Sequence, residues 1–482
     1  MPPSLDCLRA DLKRTIPADQ ITSDATTLLS YARDLTEIEG TAPGLVVRAR
    51  SVADVQATVR ACVAHRVPLT PVLYGTNVGG LALPARGGVA LDLKAMDRVL
   101  EVNADDLYMV IEPGVTWSAV RSLLDTHHPH LRFAYSLSPP ESSVLANCLL
   151  DGLVNLSLRH GAMAEWLNGV EAVLPSGEIV TTGARAFGSP TWHAEAPLPH
   201  LTGLFVNAQG TTGIVTKAAV QLWPRQPYGD RFFLLTREVG ETFALVRALT
   251  RLEVADDLAG LSIGLGKMLL GAKRPVGCRE GEPRFLVYVD LSAATTPLLA
   301  AKRDAVLDVA RSLGSRCEGP LDVAALVQLV PAFASFAEFP TRLDFLLDNH
   351  GGGLTWVGTF GPTSRWAEGA AAGLEVMARL GFPALVVTRP MRGGHYGVLR
   401  FLATFDQSAA AEREAVARLN RELADAVVPF GFIPYKTPAW AIERYRERLD
   451  PGFVALWQGV RRFLDPAGVM NPGKWPLGRD GD

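Results

Sequence analysis

Apolar positions along the chain fall into short runs and helical repeats that alternate. Val46 and Val47 form an apolar pair, residues 51–67 carry Val and Ala at helical intervals, and residues 68–73 lead into a glycine-bearing turn. This pattern predicts strand, helix, strand and loop. Apolar runs follow at residues 89–93, 107–111 and 170–174, with turns such as Pro175-Ser176-Gly177-Glu178 among them. Near residues 224–229 two prolines and a glycine separate the strand-like residues 214–223 from the apolar run 232–235. A domain boundary is expected there. Beyond it, strand candidates at 285–289, 354–359 and 399–405 alternate with helical stretches near 241–254, 298–313 and 409–428. A last helix is expected around 457–463, followed by the ordered turn Asn471-Pro472-Gly473-Lys474-Trp475. The fold class is therefore α+β.

A length of 482 residues exceeds what one core usually holds, which agrees with two domains. Hydrophobic residues at 48% and charged residues at 20% describe a globular chain. The 47 Lys and Arg nearly balance 50 Asp and Glu, and no long basic block appears, so nucleic acid is not an expected partner. The first residues lack the basic start and apolar run of a secretory signal, and no stretch approaches the length of an integral membrane segment; the expectation is a cytoplasmic protein. The five cysteines are scattered, without CxxC or CxxCH spacing, and read as reduced thiols. His127, His128 and His130 read as loop histidines, and His350 belongs to no three-ligand set; no metal is expected.

The strongest local feature is residues 71–80, Pro-Val-Leu-Tyr-Gly-Thr-Asn-Val-Gly-Gly. Gly75, Gly79 and Gly80 allow a sharp turn that brings backbone N–H groups toward a phosphate. The loop is neither GxGxxG nor GxxxxGK[ST], and an ordinary turn between strands is its plain alternative.

Around it stand Gly87-Gly88-Val89, residues 112–117 (Glu-Pro-Gly-Val-Thr-Trp), 138–152, 169–177, 203–205 and 210–217. This ordered series resembles the FAD-binding domain of the vanillyl-alcohol oxidase and 4-cresol dehydrogenase superfamily, which also includes 2-hydroxy-acid dehydrogenases. At the other end, residues 431–438 (Gly-Phe-Ile-Pro-Tyr-Lys-Thr-Pro) resemble the tyrosine-basic-threonine segment lining the substrate cavity of the aromatic-alcohol and alkylphenol branch. The terminal segment from Asp465 to Lys474 resembles the ending that returns to the flavin domain. The resemblance implies a split FAD-binding domain, residues 1–225 plus 430–482, around a substrate or cap domain at 226–429.

It also implies site residues. Tyr74, Gly75, Thr76, Asn77, Val78 and Gly79 would wrap the pyrophosphate. Pro113, Ser138, Ser142, Ser143 and Asn147 would lie along the flavin, with Gly210, Gly213, Ile214 and Val215 at its ring or ribityl chain and Lys474 in the returning segment. Ile214 and Val215 have a plain alternative as core strand residues. In residues 389–396, His395 or Tyr396 would attach the flavin covalently or form a non-covalent wall, while Arg389 and Arg392 suit a substrate anion or a charged surface. Tyr435 would donate a hydrogen bond to a phenolate and Lys436 would offset its charge, although the branch commonly uses Arg at the second position, and Lys436 reads also as a solvent-exposed charge. Ala162 stands where the aromatic-alcohol oxidase carries an acid near flavin N5. His160 is then a candidate base, or a structural histidine.

The expected function is FAD-dependent oxidation of a small aromatic alcohol or para-alkylphenol, a small-molecule substrate. Oxygen, a quinone or an electron-transfer protein would be the acceptor, and homo-oligomerisation is left open. The alternatives are a D-2-hydroxy-acid dehydrogenase, with Arg389 or Arg392 on the carboxylate, and a flavin-binding assembly subunit without turnover.

Overall fold

The computed structural model describes residues 5–76, 78–134, 138–195, 198–329, 331 and 351–477. The strand Leu45–Arg48 is buried along its apolar positions, as expected of a parallel strand covered on both faces. It pairs in parallel with Val89–Asp92, which pairs in parallel with Leu69–Val72. Ile21–Thr22 adds an antiparallel edge, giving a four-stranded sheet. The crossover helix Val52–His65 starts at Ser51, whose side chain accepts from Asp54 N in a capping box, and buries Val55, Val59 and Cys62 on one face. It stops at Arg66 in the left-handed region, which releases the chain into Leu69–Val72 and aims the glycine loop away from the sheet.

A five-stranded antiparallel sheet follows, ordered Val99–Asn103, Tyr108–Ile111, Ile214–Gln221, Leu167–Val173 and Ile179–Thr181. Its core gathers Trp117, Phe133, Trp166 and the helix Val144–Leu149. The third sheet has eight antiparallel strands, from Cys317–Asp322 through Tyr228–Thr236, Phe285–Ala293, Asp257–Ser262, Val386–Met391, Tyr396–Asp406 and Gly352–Gly361 to Ile433–Pro434. The helices Val239–Thr250, Thr296–Ser312, Trp366–Arg379 and Ala410–Val427 pack on it. The sheet thus runs to Pro434. The chain then returns to the first sheet, where Leu69 bridges Met470 and Asn471 N donates to Leu69 O at 2.7 Å.

Among the described residues no helix is long and apolar enough to cross a membrane, and no group of three or more His, Cys, Asp or Glu side chains could hold a metal ion.

Candidate active site

A cavity runs between the first two sheets and reaches Trp356 of the eight-stranded sheet. One wall is Pro71 to Thr76; the opposite wall is Ser142, Ser143 and the helix Val144–Leu149; the floor is Gly210, Gly213, Ile214 and Val215. Tyr74, Pro113, Ser138 and Asn147 also line it, and Trp356, Lys436 and Asn471 close its ends. Backbone and small residues dominate this lining. Gly210 has φ +75°, and a Cβ there would stand 2.6 Å from Pro71 Cγ, so only glycine keeps both the turn and the floor against the strand. Gly75 has φ +64° with open space where a Cβ would stand.

Three polar side chains brace the walls instead of facing the cavity freely. Tyr74 Oη donates to Gly114 O at 2.8 Å, Ser142 Oγ to Pro139 O at 2.7 Å and Ser143 Oγ to Pro113 O at 2.6 Å. Ser143 also caps the helix Val144–Leu149 by accepting from Ala146 N. Lys474 is buried outside the lining and donates to Gly80 O at 2.6 Å, holding the glycine loop from behind. Burial pushes its ammonium down to about 8, against the attraction of Asp34. Val78 and Gly79 line a smaller adjoining cavity with Trp356, Tyr435 and Lys436. Asn77 lies outside the described residues.

The cavity suits FAD in one testable respect. Asn471 Nδ2 donates to Gln209 O, while its Oδ1 is buried without a hydrogen-bond partner among the described residues. An orphaned acceptor in a pocket of backbone and small residues matches a ligand rich in hydroxyl donors.

Beyond Lys436 the smaller cavity meets a packed aromatic cluster through Tyr435, and the two together form the chamber end of the site. Tyr435 is buried and stacks on Phe360 with ring centres 4.4 Å apart, and Phe360 meets Tyr396 edge-on at 5.2 Å. Leu153, Ala162, Met391 and Val398 complete the apolar wall. Arg400 Nη2 donates to the Tyr435 hydroxyl, its guanidinium lies 4.7 Å from the Trp356 ring centre, and its Nε has no hydrogen-bond partner among the described residues. Lys436, at φ +48°, donates from Nζ to Asn147 Oδ1 at 3.0 Å. It lines the cavity and is not a free surface charge. Burial first, then Arg400, pushes its ammonium down to about 7, with Asp151 pulling the other way. Asp151 is raised to about 6 by burial and by Glu165, against a hydrogen bond from Ala164 N and the charge of Lys436.

Several expected residues sit elsewhere. His160 is outside the cavity lining: its ring stacks on Trp223 at 4.6 Å and meets Trp166 edge-on. Burial, Arg132 and Arg159 push it down to about 4, so it is neutral at ordinary pH and a poor proton acceptor. Arg392 is exposed and pairs with Glu165 at 3.4 Å. Arg389 is fully buried and pairs with Asp257 at 3.0 Å inside the eight-stranded sheet. His395 is exposed, whereas Tyr396 turns inward against Phe360. Sequence reasoning missed Trp356, Phe360, Arg400 and Asp151. Arg400 did leave a signal, a lone charge inside the apolar run of residues 397–405.

The FAD binding domain family matches residues 43–183. Over 95% of its length the chain is 27% identical to the 4-cresol dehydrogenase [hydroxylating] flavoprotein subunit of Pseudomonas putida, covering 92% of that protein. It is 29% identical over 37% of its length to a mitochondrial D-lactate dehydrogenase [cytochrome] of Arabidopsis thaliana, and 30% over 41% to a glycolate oxidase subunit of Bacillus subtilis. The chain spans only 30% and 40% of those two relatives. Its fold matches the crystal structure of p-cresol methylhydroxylase with substrate bound at a TM-score of 0.85 and 21% identity, covering 99% of this chain and 98% of that one. With the cavity in place, these likenesses mark the chain as an FAD-binding oxidoreductase similar in sequence and fold to the 4-cresol dehydrogenase flavoprotein subunit.

Proposed function

We propose that the enzyme oxidises a small aromatic alcohol or para-alkylphenol. The observation that carries this reading is the aromatic cluster at the end of the flavin cavity, where Phe360 packs between Tyr396 and Tyr435, Arg400 donates to the Tyr435 hydroxyl, and Lys436 lines the cavity beside them. A phenolic or benzylic ring packs against the aromatic walls, and its oxygen takes hydrogen bonds from this donor cluster. Two cations beside a buried tyrosine stabilise the negative charge that develops on that oxygen as the reaction proceeds. FAD, when bound, accepts the hydride from the substrate carbon. The glycine loop, Gly210 and Asn471 hold the cofactor, and Tyr396, not the exposed His395, is the side chain available for any covalent attachment. The 4-cresol dehydrogenase relative supports the substrate class, and its being a flavoprotein subunit supports a separate electron-transfer protein as acceptor.

The hydroxy-acid alternative would rest on Arg389, whose Nη2 pairs with Asp257 while Nε and Nη1 are buried without a hydrogen-bond partner among the described residues; Arg392 pairs with Glu165 at the surface. Anaerobic mixing with aromatic alcohols, alkylphenols and D-2-hydroxy acids tests the proposal. Rapid flavin bleaching by the aromatic classes is expected; bleaching by hydroxy acids alone contradicts it, and a protein inert to all three fits a flavin-binding assembly subunit instead.

A further inference from the structure

Oxidising an alcohol or phenol by hydride loss also releases a hydroxyl proton, which needs an acceptor inside the chamber. Tyr435 already receives a hydrogen bond from Arg400, and Lys436 is committed to Asn147. His160 packs against tryptophans outside the cavity, and Ala162 has no titratable group. Glu165 accepts from Ala162 N and pairs with the exposed Arg392. Asp151 remains.

Its position is built. The chain passes from the flavin cavity wall at Leu149 and Leu150 to the aromatic chamber wall at Leu153, and Asp151 stands at that junction. It adopts φ +48°, a conformation that Asp, Asn and Gly enter most readily, with its N–H donating to Cys148 O at 3.1 Å. Gly152 ties the turn down, donating to Asn147 O at 2.8 Å and accepting from Met163 N at 2.9 Å. Among the described residues the carboxylate takes one weak bond, from Ala164 N at 3.3 Å. This turn holds a partly buried carboxylate between the flavin-cavity wall and the aromatic cluster.

We propose that Asp151 is the proton acceptor of the oxidation, a role that rests on the aromatic-alcohol or alkylphenol reading. The substrate O–H bond breaks and its proton forms an O–H bond on the Asp151 carboxylate. The C–H bond breaks with its electron pair passing to FAD, the oxidant, and the substrate oxygen becomes a carbonyl. The surrounding charges suit this cycle. Lys436 and Tyr435 face Asp151 from the segment after the edge strand, Tyr396 from the eight-stranded sheet, Glu165 from the turn Met163–Trp166 and Cys148 from the helix Val144–Leu149. Arg400 acts beyond Lys436, and Arg392 beyond Glu165. Burial and Glu165 lift the carboxyl to about 6, close to the range where one group both takes and releases a proton.

The test uses FAD-loaded wild type and Asp151→Asn, mixed anaerobically with the three substrate classes across a pH series. Asn tolerates the same backbone, so FAD content, thermal midpoint and KM should stay unchanged. Flavin reduction should slow about 100-fold, and the loss of rate expected of the wild type below about pH 6 should be absent from the variant. A variant that keeps the wild-type rate and acid limb overturns the proposal. Should Asp151→Asn lose flavin or fold, Asp151→Glu decides: it must keep the acid limb, and a flat profile overturns the proposal. Reduction by hydroxy acids alone removes the aromatic reading, while the acid limb with those substrates still judges Asp151.

Discussion

The two ends of the cavity are made from different material. The flavin end is backbone, glycine and short side chains drawn from a few local segments, and its polar groups are mostly spent on bracing their own loops. The chamber end is a set of large aromatic and charged side chains delivered by the eight-stranded sheet and by the segments on either side of it. A cofactor common to a whole superfamily can be held by backbone geometry, which depends little on side-chain identity. A substrate is selected by side chains, so that end carries the specificity.

The comparison breaks most visibly at Tyr435. Replacing it with Phe removes the hydroxyl that meets Arg400 but keeps the ring on Phe360, so flavin content should hold while the rate of reduction drops about 100- to 1000-fold. A loss of FAD in the same variant would show that the two ends are not separable. The converse substitution, Gly210→Leu, forces bulk against Pro71 and should cost roughly 1–3 kcal/mol in the flavin floor. That loss appears as weaker FAD retention, read from flavin absorbance per protein, while the FAD-saturated variant keeps the wild-type substrate preference.

Charge sharpens the same division. Lys436 is protonated below about 7, so its help to a developing phenolate fades as pH rises through that value. The wild-type rate should fall on the alkaline side. Lys436→Arg keeps its charge there and should abolish that limb, which a pH profile of flavin reduction reads directly. The smallest effect is expected at His160. His160→Gln should fall well short of the roughly 100-fold loss of a removed general base, because the ring packs against tryptophan outside the cavity.

The flavin end was legible because its signals are local. Gly75, Gly210 and the run through Asn147 each announce a turn or a close approach within a few residues. Strands such as Phe285–Ala293 and Tyr396–Asp406 were equally visible as apolar runs. The chamber was only half legible. Tyr435 and Lys436 stood out by resemblance, but Arg400 and Phe360 reach them through pairing of strands distant in sequence, and local pattern does not encode that register. Histidine and arginine chemistry misled for the same reason. His160 and Arg389 are plausible by residue type, yet packing against Trp223 and pairing with Asp257 remove them from the cavity.

The central claim is hydride loss from a carbon attached to an aromatic ring, and one measurement reaches it most directly. The FAD-loaded enzyme is mixed anaerobically with para-alkylphenols and aromatic alcohols, unlabelled or deuterated at the carbon next to the ring, and flavin bleaching is followed. Rapid bleaching that slows severalfold with deuterium is the predicted result. Failure of both aromatic classes to bleach the flavin while D-2-hydroxy acids do so rapidly would contradict the account.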